Sequence, residues 1–350
     1  MRIKLALLDQ DNIYLERIVN LLSNKYPGEF QLYTYSEEQL AKKELEKIKV
    51  DVILVNEIFN VDKTDIKQQC EFGYLVESNG IENIRGEKAI CKYQNIEKIY
   101  SDIKDIFSDN DIALEKKESN GVKTKIFWFT SFSGGTGTTS IAVAMAKKIA
   151  EQHRVCYLDF EYNGNPEIFF DGEGNSTLSD VVFALKSNRN NTNLKIENSL
   201  KKSSSGVYYF GKPNLILDFL EMNDEEKKEL IDILCQYCQV EYIIIDLKFD
   251  FSKLNQIIWS IADRVVTVSD GSEIANDKFM RSYEAIYAMD SDEYDLGKLG
   301  VIYNKFSNKT SNVVSGIETK EYGGIRKFEH ATSNQVIDEI MKMNIFGSFL

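Results

Sequence analysis

Two groups of residues in this 350-residue chain have types and spacing suited to phosphate chemistry. The first lies in FWFTSFSGGTGTTS, from Phe127 to Ser140. Apolar and aromatic residues lead into Ser133-Gly134-Gly135-Thr136-Gly137, and Thr138-Thr139-Ser140 then opens a helical pattern. Glycines let a backbone approach a ligand closely, and a helix N-terminus presents N–H groups to an anion. A standard loop of this kind ends Gly-Lys-Ser/Thr. Here Gly137-Thr138-Thr139 carries no lysine. Such a loop holds a nucleoside triphosphate but is poorly equipped to hydrolyse it. The second group is Asp9, Asp11, Asn56 and Lys92, each at the end of an apolar strand pattern.

The loop has companions further along. VCYLDFE, Val155 to Glu161, ends a strand pattern in Asp159-Phe160-Glu161. YIIID, Tyr242 to Asp246, sets an aspartate at the end of four apolar residues. ADRVVTVS and GVIYNK supply two more strands, the second carrying Asn304.

The elements that position these residues alternate between strand and helix periodicity. Strands are predicted at Ile3–Leu8, Phe30–Tyr35, Val50–Val55, Tyr74–Val76 and Ala89–Cys91. Helices are predicted at Asn12–Asn24, Glu37–Lys47 and Ile96–Phe107. This alternation implies an α/β class: parallel sheets with helices on both faces. The polar stretch SDNDIALEKKESNGVKT reads as a linker. The expected organisation is two doubly wound domains, 1–108 and 125–350, joined by 109–124.

Composition narrows the function. A net charge of -13 disfavours sequence-independent nucleic-acid binding. No run of about eighteen apolar residues suggests a membrane span, and the N-terminus reads as a first strand rather than a signal peptide. Five cysteines and two histidines fit a reduced, cytoplasmic setting. Cys235 and Cys238 lack a second pair and read as buried helix residues.

The N-terminal elements resemble the receiver domain of response regulators, a flavodoxin-like fold. On that resemblance Asn56 stands at the phosphoacceptor position, Asp9 and Asp11 at the acidic pair, and Lys92 at the conserved basic position, followed by Tyr93 rather than proline. A neutral amide is no useful nucleophile toward phosphorus. It also removes a carboxylate from the Mg²⁺ site. The domain is therefore expected to be phosphorylation-incompetent and to dock another protein.

The C-terminal region resembles the ParA/MinD ATPases, whose deviant Walker A loop is K-G-G-x-G-K-[ST]-[ST]. Its glycines match Gly134, Gly135 and Gly137, while Ser133 and Thr138 replace both lysines. The resemblance implies ATP with Mg²⁺ as cofactors. It implies Thr139 and Asp246 as Mg²⁺ ligands, and Asp159 and Glu161 as the catalytic carboxylates. Ser133 to Ser140 would form the phosphate cradle, with Asn304 and Phe328, in Ile325–Thr332, near the adenine. ATP over GTP also follows from Asn304-Lys305-Phe306-Ser307, which lacks the aspartate of a guanine motif. The expected activity is at most a weak ATPase, unless another cation such as Lys248 compensates.

A receiver-like domain followed by a ParA/MinD-like ATPase is similar to the TadZ/CpaE family of Tad-type pilus assembly. That resemblance implies a cytoplasmic ATP-dimerised scaffold, sited at a cell pole or the inner membrane face through partners. Its partners would be a second copy of the chain and pilus-assembly or secretion proteins reached through the receiver-like domain. An actively cycling positioning ATPase and a receiver-gated signalling ATPase remain open as alternatives. The apolar C-terminal tail is expected to pack on its own domain rather than on a membrane.

Overall fold

The computed structural model describes residues 2–66, 68, 70–108, 123–187, 192–289, 294–347 and 349. Most of the predicted linker, 109–122, lies outside them. The chain forms two compact units: Met1–Glu115 with Arg189–Asn198, and Lys116–Asn188 with Ser199–Leu350.

The first unit runs β1 (Ile3–Leu8), α1 (Asn12–Lys25), β2 (Phe30–Tyr35), α2 (Glu38–Leu45), β3 (Val52–Asn56), β4 (Glu71–Val76), β5 (Asn83–Ile84), β6 (Glu87–Cys91) and α3 (Ile96–Ser108). Its sheet order is β2-β1-β3-β4-β6-β5. All pairs are parallel except the β5–β6 hairpin. Strand alternation divides the core. Leu5 and Leu7 face a cluster with Tyr14, Leu15 and Ile18 of α1 and Ile99 and Ile103 of α3. Ala6 and Leu8 face the other side, with Ala41 and Leu45 of α2.

Helical cover on that second side is thinner than the strand–helix alternation implies. Between β3 and β4 the described residues form only a single 3₁₀ turn, Lys63–Asp65. The hydroxyl of Tyr74 holds this crossing in place by donating to the Val61 carbonyl (3.1 Å) and to Asp62 (2.9 Å). Between β4 and β6 there is a hairpin instead of a helix. Its two-residue turn, Arg85-Gly86, has positive φ at both positions, the geometry that matches strand twist.

After the first unit the chain runs β7 (Lys125–Thr130), α4 (Thr138–Ala150), β8 (Val155–Asp159), α5 (Leu178–Ser187), α6 (Thr192–Ser199), β9 (Lys201–Lys202), β10 (Tyr208–Tyr209), α7 (Ile216–Leu220) and α8 (Asp224–Gln236), all in the second unit except α6. It continues with β11 (Tyr242–Asp246), α9 (Lys253–Ile261), β12 (Arg264–Ser269), α10 (Glu273–Ala288), β13 (Leu299–Phe306), β14 (Lys320–Arg326) and α11 (Ser333–Met341). Residues 192–198 of α6 cluster with the first unit. The strand order is β14-β13-β12-β7-β11-β8-β10-β9, parallel but for β9. Phe127 and Phe129 face α4 and the C-terminal residues Phe346 and Phe349. Trp128 faces the other way, edge-on to Trp259 of α9. Helices thus cover both faces, and β7 sits mid-sheet with its C-terminal end aimed into α4.

The apolar tail packs on its own domain, as its composition implies. Phe349 stacks on Tyr322 with ring centroids 4.0 Å apart. Cys235 lies on α8 and Cys238 is buried just beyond it, and neither is in a disulfide.

Candidate functional site

The loop between β7 and α4 has the backbone that its glycines allow. Gly135 and Gly137 take φ of +77° and +87°, the left-handed region where a Cβ is strained. Gly137 caps α4. A Cβ there would also strike Asn304 Nδ2. Ser131 binds the loop together. Its hydroxyl lies 2.8 Å from the Val268 carbonyl of β12 and also contacts the Ser133 carbonyl. The Ser133 N–H and the Thr136 hydroxyl donate to it, each at 3.0 Å. The Thr136 and Thr138 hydroxyls are 3.3 Å apart.

Adjacent strand ends place the carboxylates beside this loop. β11 lies between β7 and β8, and its Asp246 pairs in register with Phe129 on one side and Asp159 on the other. Burial pushes the Asp246 carboxyl up to about 6. The hydroxyls of Tyr157, which donates at 2.8 Å, and Thr139 pull it back down, and Glu161 raises it. Burial and the charge of Asp246 push Asp159 well above the ordinary carboxylate range. The Glu161 N–H donates to Asp159 at 3.0 Å, and the Glu161 carboxylate accepts from the Lys248 N–H at 2.6 Å. Gly164 lies so close to Asp159 that a Cβ would overlap its carboxylate.

This oxygen-rich set is the chemistry a hard divalent cation takes. Buried carboxylates whose protons are held this tightly are short of positive charge. Thr139 and Asp246 fit Mg²⁺, which needs only one or two protein ligands when phosphates and water supply the rest. Among the described residues no three His, Cys, Asp or Glu side chains form a closed metal site.

Asn304 is buried, and its amide donates to the Thr136 carbonyl at 2.7 Å. It therefore braces the loop. Phe328 is half-buried against the core under α4, with the Arg326 guanidinium 5.9 Å over its ring. Sequence reasoning missed two residues at the loop. Ser131 preceded the glycines and matched no motif position. Lys305 donates to the Gly135 carbonyl at 2.7 Å, and its one sequence signal was its place after the strand-end Asn304.

In the first unit Asp9, Asn56 and Lys92 also meet, and all three are buried. The Lys92 ammonium lies 2.7 Å from Asp9 Oδ2, and the Asn56 amide donates to the same oxygen at 2.8 Å. Asp9 Oδ1 accepts from the Asp11 N–H at 2.8 Å. The Asp11 side chain caps α1. Lys92 also lies 4.7 Å over the Tyr14 ring. Burial, then the charge of Asp9, pushes the Tyr14 phenol well up.

The fold and site together define a doubly wound sheet with a glycine loop at a strand–helix junction, joined to a receiver-like unit whose acidic site is closed by its own residues. Residues 1–108 match the family of TadZ-like receiver domains. No curated protein is significantly similar in sequence to this chain. Among solved structures, a ParA family ATPase from Chlorobium tepidum TLS shares 14% identity, covering 63% of this chain and 100% of its own, with a TM-score of 0.50. An ATP complex of a Cyanothece McdA variant shares 16% identity over 65% of this chain and 97% of its own, also at 0.50. Likeness at this level shows the fold. The chain thus pairs a segment that matches the family of TadZ-like receiver domains with a ParA-like fold.

Proposed function

We propose that this protein is an ATP-binding scaffold of Tad-type pilus assembly. In this reading Mg²⁺-ATP locks two copies together and the receiver-like unit docks pilus-assembly or secretion proteins. The observation that carries it is the contrast at the loop. The glycine backbone and the cation-poor carboxylates Asp246, Asp159 and Glu161 suit a Mg²⁺-nucleotide, while neither Ser133 nor Thr138 supplies a lysine.

Ser133 to Ser140 would cradle the phosphates through backbone N–H groups and the α4 N-terminus. Thr139 and Asp246 would hold Mg²⁺, which when bound neutralises phosphate charge. Asp159 and Glu161 would orient water, and Asn304 and Phe328 would face the adenine. A cation supplied to phosphoryl transfer is worth about 10³ to 10⁵ in rate, so its loss from the loop favours slow turnover. ATP would lie near the dimer interface. No helix among the described residues is long and apolar enough to cross a membrane. With a net charge of -13, nucleic acid is not an expected partner. A cytoplasmic setting with a polar or membrane-face address would come through partners.

Light scattering with and without Mg²⁺-ATP, with phosphate release followed in the same samples, tests this reading. A dimer that needs ATP and releases almost no phosphate is expected. Equal dimerisation without nucleotide would overturn it. A dimer that decays as phosphate appears would instead favour a cycling positioning ATPase.

A further inference from the structure

The loop that lost its lysines has a cation beside it from another part of the chain. The Lys305 ammonium donates to the Gly135 carbonyl at 2.7 Å, at the centre of the glycine cradle. Its Cε lies 3.7 Å from where a Cβ on Gly137 would sit, so the aliphatic stem runs alongside the loop.

The local fold puts it there. The β13–β14 register shifts between Tyr303 and Phe306, whose partners are Gly324 and Arg326. One extra residue of β13 is therefore accommodated at Asn304-Lys305, the kind of bulge that re-aims side chains beside functional sites. Lys305 itself takes φ +56°, a left-handed conformation that a non-glycine residue adopts at a cost. The neighbouring Asn304 is buried and fastened to the Thr136 carbonyl, which fixes where the strand meets the loop. Lys248, which follows β11, meets Glu161 through its backbone N–H.

We infer that Lys305 is the substitute phosphate-binding cation of this site, supplied from the end of β13 instead of from the loop. The inference rests on the loop being a triphosphate site. A neutral carbonyl is a weaker partner for an ammonium than a phosphate oxygen. An ammonium has three donors, so it can reach the polyphosphate while keeping Gly135. The lysine is exposed, which leaves it free to respond to a ligand.

The test is equilibrium binding of Mg²⁺-ATP to the full chain by calorimetry, for wild type, Lys305→Gln, Lys305→Arg and the double variant Lys305→Gln/Thr138→Lys. Lys305→Gln should weaken binding about 10- to 100-fold, the worth of a charge-assisted hydrogen bond. Lys305→Arg should stay within about threefold, since it keeps the charge and donors. The double variant should recover most of the loss, because the charge returns at the usual loop position. Melting without nucleotide should match for wild type and Lys305→Gln. If wild type binds but Lys305→Gln binds equally well, the lysine is not the phosphate cation, and the loop reading survives. A loss that the double variant does not recover would make Lys305 a brace for Gly135 and overturn the inference. A wild type that binds no nucleotide would sink the loop reading itself, and the inference with it.

Discussion

The chain holds two clusters of charged and polar residues at strand ends, and they are balanced in opposite ways. In the first unit the buried charges of Asp9 and Lys92 pair with each other beside the neutral Asn56. Asp9 is saturated by Lys92, the Asn56 amide and the Asp11 N–H. In the second unit the glycine loop carries no lysine, and the buried carboxylates are left to their own repulsion. Asp246 and Asp159 hold their protons above the usual range, by burial first and by neighbouring carboxylates after it. Removing an anion from a site with a buried lysine closes it. Removing cations from a site with buried carboxylates leaves it needing an external cation. The first cluster is closed by its own partners; the second keeps an unrelieved pair of buried carboxylates.

The largest effect should come from breaking the closed site. The Lys92 and Asp9 side chains are 1% and 0% exposed. Lys92→Met strands a buried carboxylate, and losing one partner of such a pair costs about 3–5 kcal/mol. Hydrogen exchange of the β1 and β3 amides in the full chain should speed accordingly. Asp9→Asn/Lys92→Met should recover much of the loss, because no buried charge remains. A benign Lys92→Met would show that the site is not held by this pair, and the contrast would collapse.

The open site should respond with the opposite sign. Asp246 ionises near 3.8 when unfolded and at about 6 when folded. Between those values the native state binds more protons than the unfolded state, so stability falls as pH rises through that window and is level above it. The group weakens the nucleotide-free protein at neutral pH by on the order of 3 kcal/mol. Asp246→Asn should raise the melting temperature without nucleotide at pH 7, flatten the slope between about pH 4 and 6, and abolish stabilisation by Mg²⁺-ATP. Asp159 titrates in the same direction and adds to the wild-type slope. An Asp246→Asn protein less stable than wild type at pH 7 would contradict the idea of an unrelieved anion.

Both sites were visible in the sequence to the extent that strand ends mark them. Asp9, Asn56, Asp159 and Asp246 each end a strand or directly follow one, and alternation along buried strands fixes such positions closely. Boundaries set by capping and packing were less legible. The strand pattern began at Val50, yet β3 starts at Val52. The helix read over Glu37–Lys47 is Glu38–Leu45. The missing helical crossovers of the first unit had no sequence signal stronger than a lack of periodicity. Lys305 was legible only as a letter in a failed guanine motif. Its role depends on a bulge and a left-handed backbone, and neither follows from residue type. Ser131 was hidden for the same reason, because its partner Val268 is 137 positions away.

Ser131 supplies the smallest and most discriminating change. One hydroxyl proton serves two nearby carbonyls, and the same oxygen accepts from the Ser133 N–H and Thr136. Ser131→Ala removes that tie between the loop and β12 while leaving every charge in place. The loop is partly open, so water can replace some of the lost bonds. The cost should be about 1 kcal/mol of stability, read from chemical unfolding. Mg²⁺-ATP affinity should drop less than in Lys305→Gln. If the order reverses, preorganised backbone outweighs charge at this site. The absence of loop lysines would then need no substitute, and the need for a cation would be confined to the carboxylate side.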